Sequence, residues 1–413
     1  MRSKPHNCQI SPFVVFSLLY SLFCGIISVY SMTPYRQNKV QENIPKEENA
    51  MKKRYSIPLI IIAIMVLINV LARFCHPFAD FYVNNIFPYI STAVSFVTGL
   101  LPFSLGEMLT LGAVIVVIVG IPLFLLLLIF RKGKRRKTAA FAGALTLWLL
   151  CYITTTETMN CFIMYQCTPL AERYFPDAHG HTDEEIISLH GMLVEKCNEL
   201  AKQVPRDEHN RFVLTCDFQT EAKKAMKRAG ETYSQLSGYY PDAKPIQFSF
   251  FMSQTYTTGI YLPYTIEANY NDDMVKTNLP FTICHELSHL KGIIQEDEAN
   301  FLAYVAATGS DNTEFRYAGY LEALEYVDSA LWENGLYDSA AGHEISVEVQ
   351  NDWYRFLPEN YWEENAEKEI IPTEAVSEAT DTFLDTNIKM NGREEGIRTY
   401  NLVVQLLLDY YYP

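Results

Sequence analysis

Apolar positions in this 413-residue chain follow two different patterns. Up to Thr156 they are nearly continuous. Pro12–Tyr30, Ser56–Ala72, Met108–Phe130 and Thr138–Thr154 are uncharged runs close to the length that crosses about 30 Å of hydrocarbon. A fifth run, Asn85–Gly106, carries Pro88 and Pro102 and reads as an interfacial or re-entrant piece. Beyond residue 156 the pattern turns periodic. Thr182-Asp183-Glu184-Glu185 is a capping-box sequence that opens a helix running to about Ala201. Further helices are expected over Thr220–Leu236, Thr313–Glu333, Ser346–Leu357, Thr373–Met390 and Ile397–Tyr412. Alternation of Ile246, Phe248, Phe250 and Met252 predicts a strand over Lys244–Met252. Gly259–Tyr270 predicts a second strand region, with Pro263 marking an edge or a bulge. The expected architecture is a multi-span α-helical membrane region (51–156) followed by a mainly α, α+β domain (157–413) with a small sheet.

Charge sharpens this division. Residues 1–156 hold 15 Lys/Arg against 5 Asp/Glu, whereas 157–413 hold 18 against 43. The acidic part is a poor partner for nucleic acid, which needs Lys/Arg patches; the partner of the basic part is a lipid bilayer. Lys52, Lys53 and Arg54 precede the second apolar run, and RKGKRRK (131–137) separates the third from the fourth. With both clusters cytoplasmic, the acidic domain faces outward. The protein is then expected in a bacterial cell membrane, multi-pass, with an extracytoplasmic domain. Residues 1–50, including the apolar segment 12–30, read as an upstream extension or an extra span, because Met51-Lys52-Lys53-Arg54 before an apolar run has the form of a bacterial start. The nine cysteines show no CxxC spacing; Cys161 and Cys167 are near enough in sequence to pair or to stay as free thiols.

The candidate chemistry lies in Phe281–Tyr304, which contains His285-Glu286-Leu287-Ser288-His289. On a helix, residues four apart share a face, so both imidazoles point the same way and can bind one Zn²⁺. Glu286 sits about 100° further round, placed to act as general base on a water. Ile283, Leu287 and Leu290 make the opposite, apolar face. Pro280 suits the first turn of this helix and Gly292 its end. A third ligand is offered by Glu296 or Glu298. Glu296 is favoured, because a helix starting there puts Ala299, Asn300, Ala303 and Ala307 on its side, a small-residue stripe that lets the helix approach closely. Asn300, one turn on, would support a ligand histidine. Gln295 is a poor zinc ligand. Tyr317, Tyr320 and Tyr400 are candidate oxyanion donors, and Glu267 reads either as a substrate contact or as merely polar. His179 and His181 form an HxH in a Pro/Gly/Asp-containing loop, which reads as loop more readily than as a second metal site.

The spans together with LPFSLGE (101–107), GIYLPYTIEANYN (259–271), CHELSHLKG (284–292), EDEANFLAY (296–304) and the Tyr-rich C-terminal helix resemble domain of unknown function 3810. That family comprises bacterial membrane proteins regarded as zinc metallopeptidases, and the likeness covers roughly residues 52–413. It implies a zincin-like domain with a gluzincin arrangement, HExxH plus a glutamate as in thermolysin. Asn300 departs from the Asp common at that position in thermolysin-like sites. The expected function is a membrane-anchored zinc metallopeptidase acting on a peptide or protein substrate. An edge strand just before the HExxH helix would suit an extended peptide. The alternative is a non-catalytic zinc-binding sensor or assembly protein, against which the intact Glu286 counts. A transporter is disfavoured by spans without charges, Asn69 being the polar exception.

Overall fold

Among the described residues three helices are long and apolar enough to cross a membrane: Lys53–Phe74, Leu105–Phe130 and Arg135–Gln166. The computed structural model in which they are seen describes residues 44–130, 132–340, 342–378, 380, 382 and 400–413. The run Pro12–Tyr30, most of 379–390 and the start of the expected Ile397–Tyr412 helix lie outside the described residues. The first apolar helix belongs to α1 (Ile44–Phe74). After α2 (His76–Asn85) and α3 (Phe87–Gly99), the second consists of α4 (Leu105–Ile115), a π-helical turn (Val116–Gly120) and α5 (Ile121–Phe130). None of Ile121–Phe130 is buried, and Leu67, Ile118 and Phe130 are each about two-thirds exposed or more. Apolar surface of that extent marks a surface made for lipid. Asn69 does not stand unpaired among these helices, since its Nδ2 donates to Met65 O and to Thr158 Oγ1. The Asn85–Gly106 run takes in the last residue of α2, all of α3, a loop and the first two residues of α4. Thirteen helical residues reach only about 20 Å, and Ser91 of α3 donates to Leu290 O at 2.6 Å, tying it to the chain just after His289.

The third apolar helix, α6 (Arg135–Glu157), continues as a π-helical turn over Thr158–Phe162, well past the expected end at Thr154. Beyond it come α7 (Leu170–Tyr174), α8 (Asp183–Ala201) and α9 (Phe218–Thr232). Thr182 and Glu185 make the reciprocal capping box that the sequence implies. The sheet is β1 (Lys244–Ile246), β2 (Gly259–Leu262) and β3 (Glu267–Asn271), in the order β1-β3-β2. β1 runs parallel to β3 and β2 antiparallel to it. The predicted Lys244–Met252 strand therefore ends early. Glu107 accepts from Gln247 N and Phe248 N, taking those donors from the ladder, and α10 (Ser249–Gln254) replaces its second half.

A buried polar bolt joins this sheet to the second apolar helix. Glu267 accepts from Leu105 N and Gly106 N at the start of α4, a favourable place for a carboxylate. Lys244 Nζ bonds Glu267 Oε1 at 2.6 Å and the carbonyls of Thr98 and Phe103. Glu267 is thus a structural cap and not a substrate contact. Gly106 is demanded by proximity, because a Cβ there would overlap Leu262 and Thr265.

Behind the sheet lie α11 (Leu279–His289), α12 (Glu296–Thr308) and α13 (Thr313–Glu333). Every residue of α11 is buried. Ala299, Asn300, Ala303 and Ala307 of α12 are all sequestered from solvent, and Gly319 of α13 packs where a Cβ would press on Ala307. The expected Ser346–Leu357 helix is shortened to α14 (Val347–Asp352). Asp352 is pulled out of register by Phe212 N, Arg206 and Tyr317, which all donate to it, and Tyr354 then takes a left-handed φ of 52°. After α15 (Tyr361–Glu364), residues 373–378 are helical. The C-terminal α16 (Tyr400–Tyr411) lies on α12, with Tyr304 and Tyr411 hydroxyls 2.5 Å apart.

Candidate metal centre

Pro280 opens α11 and Gly292, at φ +83°, follows its end. Gly292 is required twice over, since a Cβ would also press on Val83 and Phe87. Between these limits the helix presents His285 and His289 with their Nε2 atoms 3.0 Å apart. The chain reverses through Ile293–Gln295 and starts α12 at Glu296, whose Oε2 lies 3.1 Å from His285 Nε2. One donor atom from each of the three residues falls within 4.8 Å of the others. Glu286 Oε1 is 4.0 Å from His285 Nε2. His289 Nδ1 lies 2.6 Å from Ile293 O. A carbonyl can only accept, so Nδ1 carries the proton and Nε2 keeps a lone pair. Asn300 lies beside His285 and favours its protonated form, the place the small-residue stripe of α12 gives it, while His285 Nδ1 is buried without a hydrogen-bond partner.

Electrostatics follow from burial. Both imidazoles are pulled down to about 4 by desolvation, with Asn300 opposing at His285 and His285 itself adding to the shift at His289. Glu296 is pushed up to about 7 by burial, against the pull of His289. Burial raises Glu286 well above the ordinary carboxylate range, and the nearby Glu296 charge adds to this. Glu286 Oε2 and Glu296 Oε2 are buried without hydrogen-bond partners, a costly state for carboxylates unless a cation or a donor joins them. Of the three donor residues only Glu296 keeps solvent contact, at 13% of its side-chain surface.

Other candidates are placed elsewhere. Glu298 turns away, accepting from Leu170 N at 2.7 Å and pairing with Arg173. Tyr317 donates to Asp352 at 2.6 Å, so its hydroxyl is committed away from the histidines. Tyr320 packs edge-on against Tyr304. The side chain of Tyr400 lies outside the described residues. Cys161 and Cys167 are both free thiols.

Periodicity alone gave no sign of the wall around the histidines. The Tyr261 ring lies 5.7 Å from that of His289, and its hydroxyl donates to Asn160 O at 3.2 Å. Asn160 Nδ2 donates to Pro263 O at 2.7 Å. The π-helical end of the third apolar helix is therefore joined to β2 beside the site, a frequent place for such turns. Gly259 lies directly against Glu286, whose carboxylate a Cβ would overlap. Because Asn271 N donates to Thr258 O, alternation along the ladder turns the backbone groups of Gly259 and Tyr261 away from β3.

A family model described as "Protein of unknown function (DUF3810)" matches residues 82–408. The chain belongs to this family. No curated protein and no solved structure matches it. The DUF3810 match begins within α2 and ends within α16, so it takes in the second and third apolar helices, the sheet and the whole histidine–glutamate cluster.

Proposed function

We propose that this DUF3810 protein is a membrane-anchored zinc metallopeptidase, hydrolysing peptide or protein substrates on the outer face of a bacterial cell membrane. The observation that carries the reading is the convergence of His285, His289 and Glu296 next to Glu286. Two imidazole lone pairs facing each other at 3.0 Å repel unless a cation or proton lies between them. Two imidazoles and a carboxylate, with one position left for a water, are the donor set of a catalytic zinc site. His285, His289 and Glu296 would hold the ion, with Ile293 O orienting the His289 ring and Asn300 beside His285. Zn²⁺ bound in such a set lowers the pKa of a water toward neutrality and polarises a carbonyl.

The remaining work falls to the chain. Glu286 would accept the proton of the attacking water and deliver it to the leaving amine. Its buried surroundings raise its proton affinity, which favours that acceptance. β2 is an edge of the sheet but is buried along its whole length, so an extended peptide would reach the outward-turned backbone of Gly259 and Tyr261, alongside Glu286, only by displacing what covers them. The apolar helices would keep this site at the membrane, and the basic RKGKRRK segment inside would leave it outside. The test is Glu286→Gln in the full-length protein, assayed on a peptide library together with zinc content. Zinc should be retained and hydrolysis lost, because an amide cannot take the proton. Cleavage at the parent rate would remove the peptidase reading.

A further inference from the structure

Among the described residues a second pair of histidines lies away from the HExxH site, in the loop that the sequence marks as ordinary. The fold brings His179 and His181 onto Glu185 in the first turn of α8. His179 Nε2 lies 3.2 Å from Glu185 Oε1, and His181 Nδ1 lies 3.5 Å from Glu185 Oε2. One donor atom from each residue falls within 4.8 Å of the others. Tetrahedral zinc with bonds of about 2.0–2.2 Å sets neighbouring donors roughly 3.3–3.5 Å apart; the two histidines face different oxygens of Glu185, so donors that lie within 4.8 Å of one another must close by up to about 1.5 Å to share one ion. Thr182 N donates to Glu185 Oε2 at 2.8 Å, fixing the carboxylate with Oε1 toward His179.

The independent observation concerns His181, whose side chain is only 2% exposed. Its Nε2 lies 2.7 Å from Asp409 Oδ1, on α16. The carboxylate holds the proton on Nε2 and leaves the Nδ1 lone pair aimed at Glu185, and that Nδ1 is buried with no hydrogen-bond partner. A histidine anchored through one nitrogen to a carboxylate and offering the other is how proteins orient metal ligands.

We propose that His179, His181 and Glu185 form a second divalent-cation site suited to Zn²⁺, with Asp409 orienting His181. The half-exposed side of His179 leaves the fourth position to water. Asp409 belongs to α16, which packs on α12 through Tyr304–Tyr411 and through Phe301–Tyr410, the latter with ring centroids 5.8 Å apart. A cation here fastens the C-terminal helix to the loop before α8 and so braces the helix that begins with Glu296. The inference does not rest on the peptidase reading.

The experiment measures zinc stoichiometry on untagged, full-length protein equilibrated with Zn²⁺ alone. The parent should bind two equivalents, His285→Ala one, and His179→Ala one. The double variant His179→Ala/His285→Ala should bind none. In the His285→Ala background, added Zn²⁺ should raise Tm, and that rise should vanish with His179→Ala. His179 is the residue to change because its ring is half-exposed, so its removal disturbs packing less than that of the buried His181. Loss of all zinc in His285→Ala, or an equivalent that survives in the double variant, overturns the second site. Failure of the first site alone would leave one equivalent that His179→Ala removes.

Discussion

Replacing Gly259 by Ala moves Glu286 without touching any candidate zinc donor. A Cβ at this position would lie 2.7 Å from Glu286 Cγ and 2.8 Å from its Cδ, and closer still to Oε1. Ordinary carbon contacts are about 3.5–4.0 Å, so the carboxylate must retreat by roughly 1 Å. Backbone strain is not involved, because Gly259 is not among the glycines with positive φ. A misplacement of about 1 Å at a reacting group lowers kcat by on the order of 10²-fold, which corresponds to about 2.7 kcal/mol in the barrier. Overpacking of a tight site costs about 1–3 kcal/mol of stability, so Tm must be measured alongside. The assay is kcat and KM on a cleaved library peptide, with zinc content as the control. Zinc should stay at the parent value while kcat falls. An unchanged kcat in a folded, zinc-loaded variant would show that Glu286 is not the group whose position sets the rate.

Other expectations follow from the same geometry. Glu296→Ala should lose zinc from the HExxH site, whereas Glu298→Ala should keep it and lower stability by about 1–3 kcal/mol, because Leu170 N is left without its acceptor; metal analysis and thermal melts of the pair separate the two roles. Zinc affinity at the HExxH site should fall as pH drops through about 7, where Glu296 takes up a proton, and a competitive chelator titration across pH reads this directly. In the metal-free protein Glu296 has the opposite linkage to stability. Its folded pKa is raised from 4.5 to about 7, so its contribution is fully present below 4.5 and is lost as pH rises to 7; Glu296→Gln should flatten that part of the stability profile. Protease added to intact cells or spheroplasts should digest the domain beyond Thr156, and protection until lysis would reverse the proposed orientation.

What the sequence determined by itself was local. Apolar runs of sufficient length marked the three long helices, because crossing hydrocarbon is a matter of length and composition. The capping box at Thr182 and the four-residue spacing of His285 and His289 were equally legible, since both are set within one helical turn. The small residues following Glu296 pointed to a close helix–helix approach, and the structure sets Glu296 beside His285 and Glu298 beside Leu170.

Tertiary structure decided whatever depended on residues far apart in the chain. The strand after Lys244 stops because Glu107, 140 residues earlier, takes the amide of Gln247. Tyr317 is drawn to Asp352, 35 residues on, so a plausible oxyanion donor became part of a buried Arg206–Asp352–Tyr317 group. The wall of the histidine site comes from Asn160 at the end of an apolar helix, 103 residues before the Pro263 carbonyl it holds. His181 reads as loop until Asp409, 228 residues away, fixes its tautomer. Periodicity reports which face of an element is buried, but not what lies against it. A polar side chain takes its role from the donor or acceptor that the fold delivers to it.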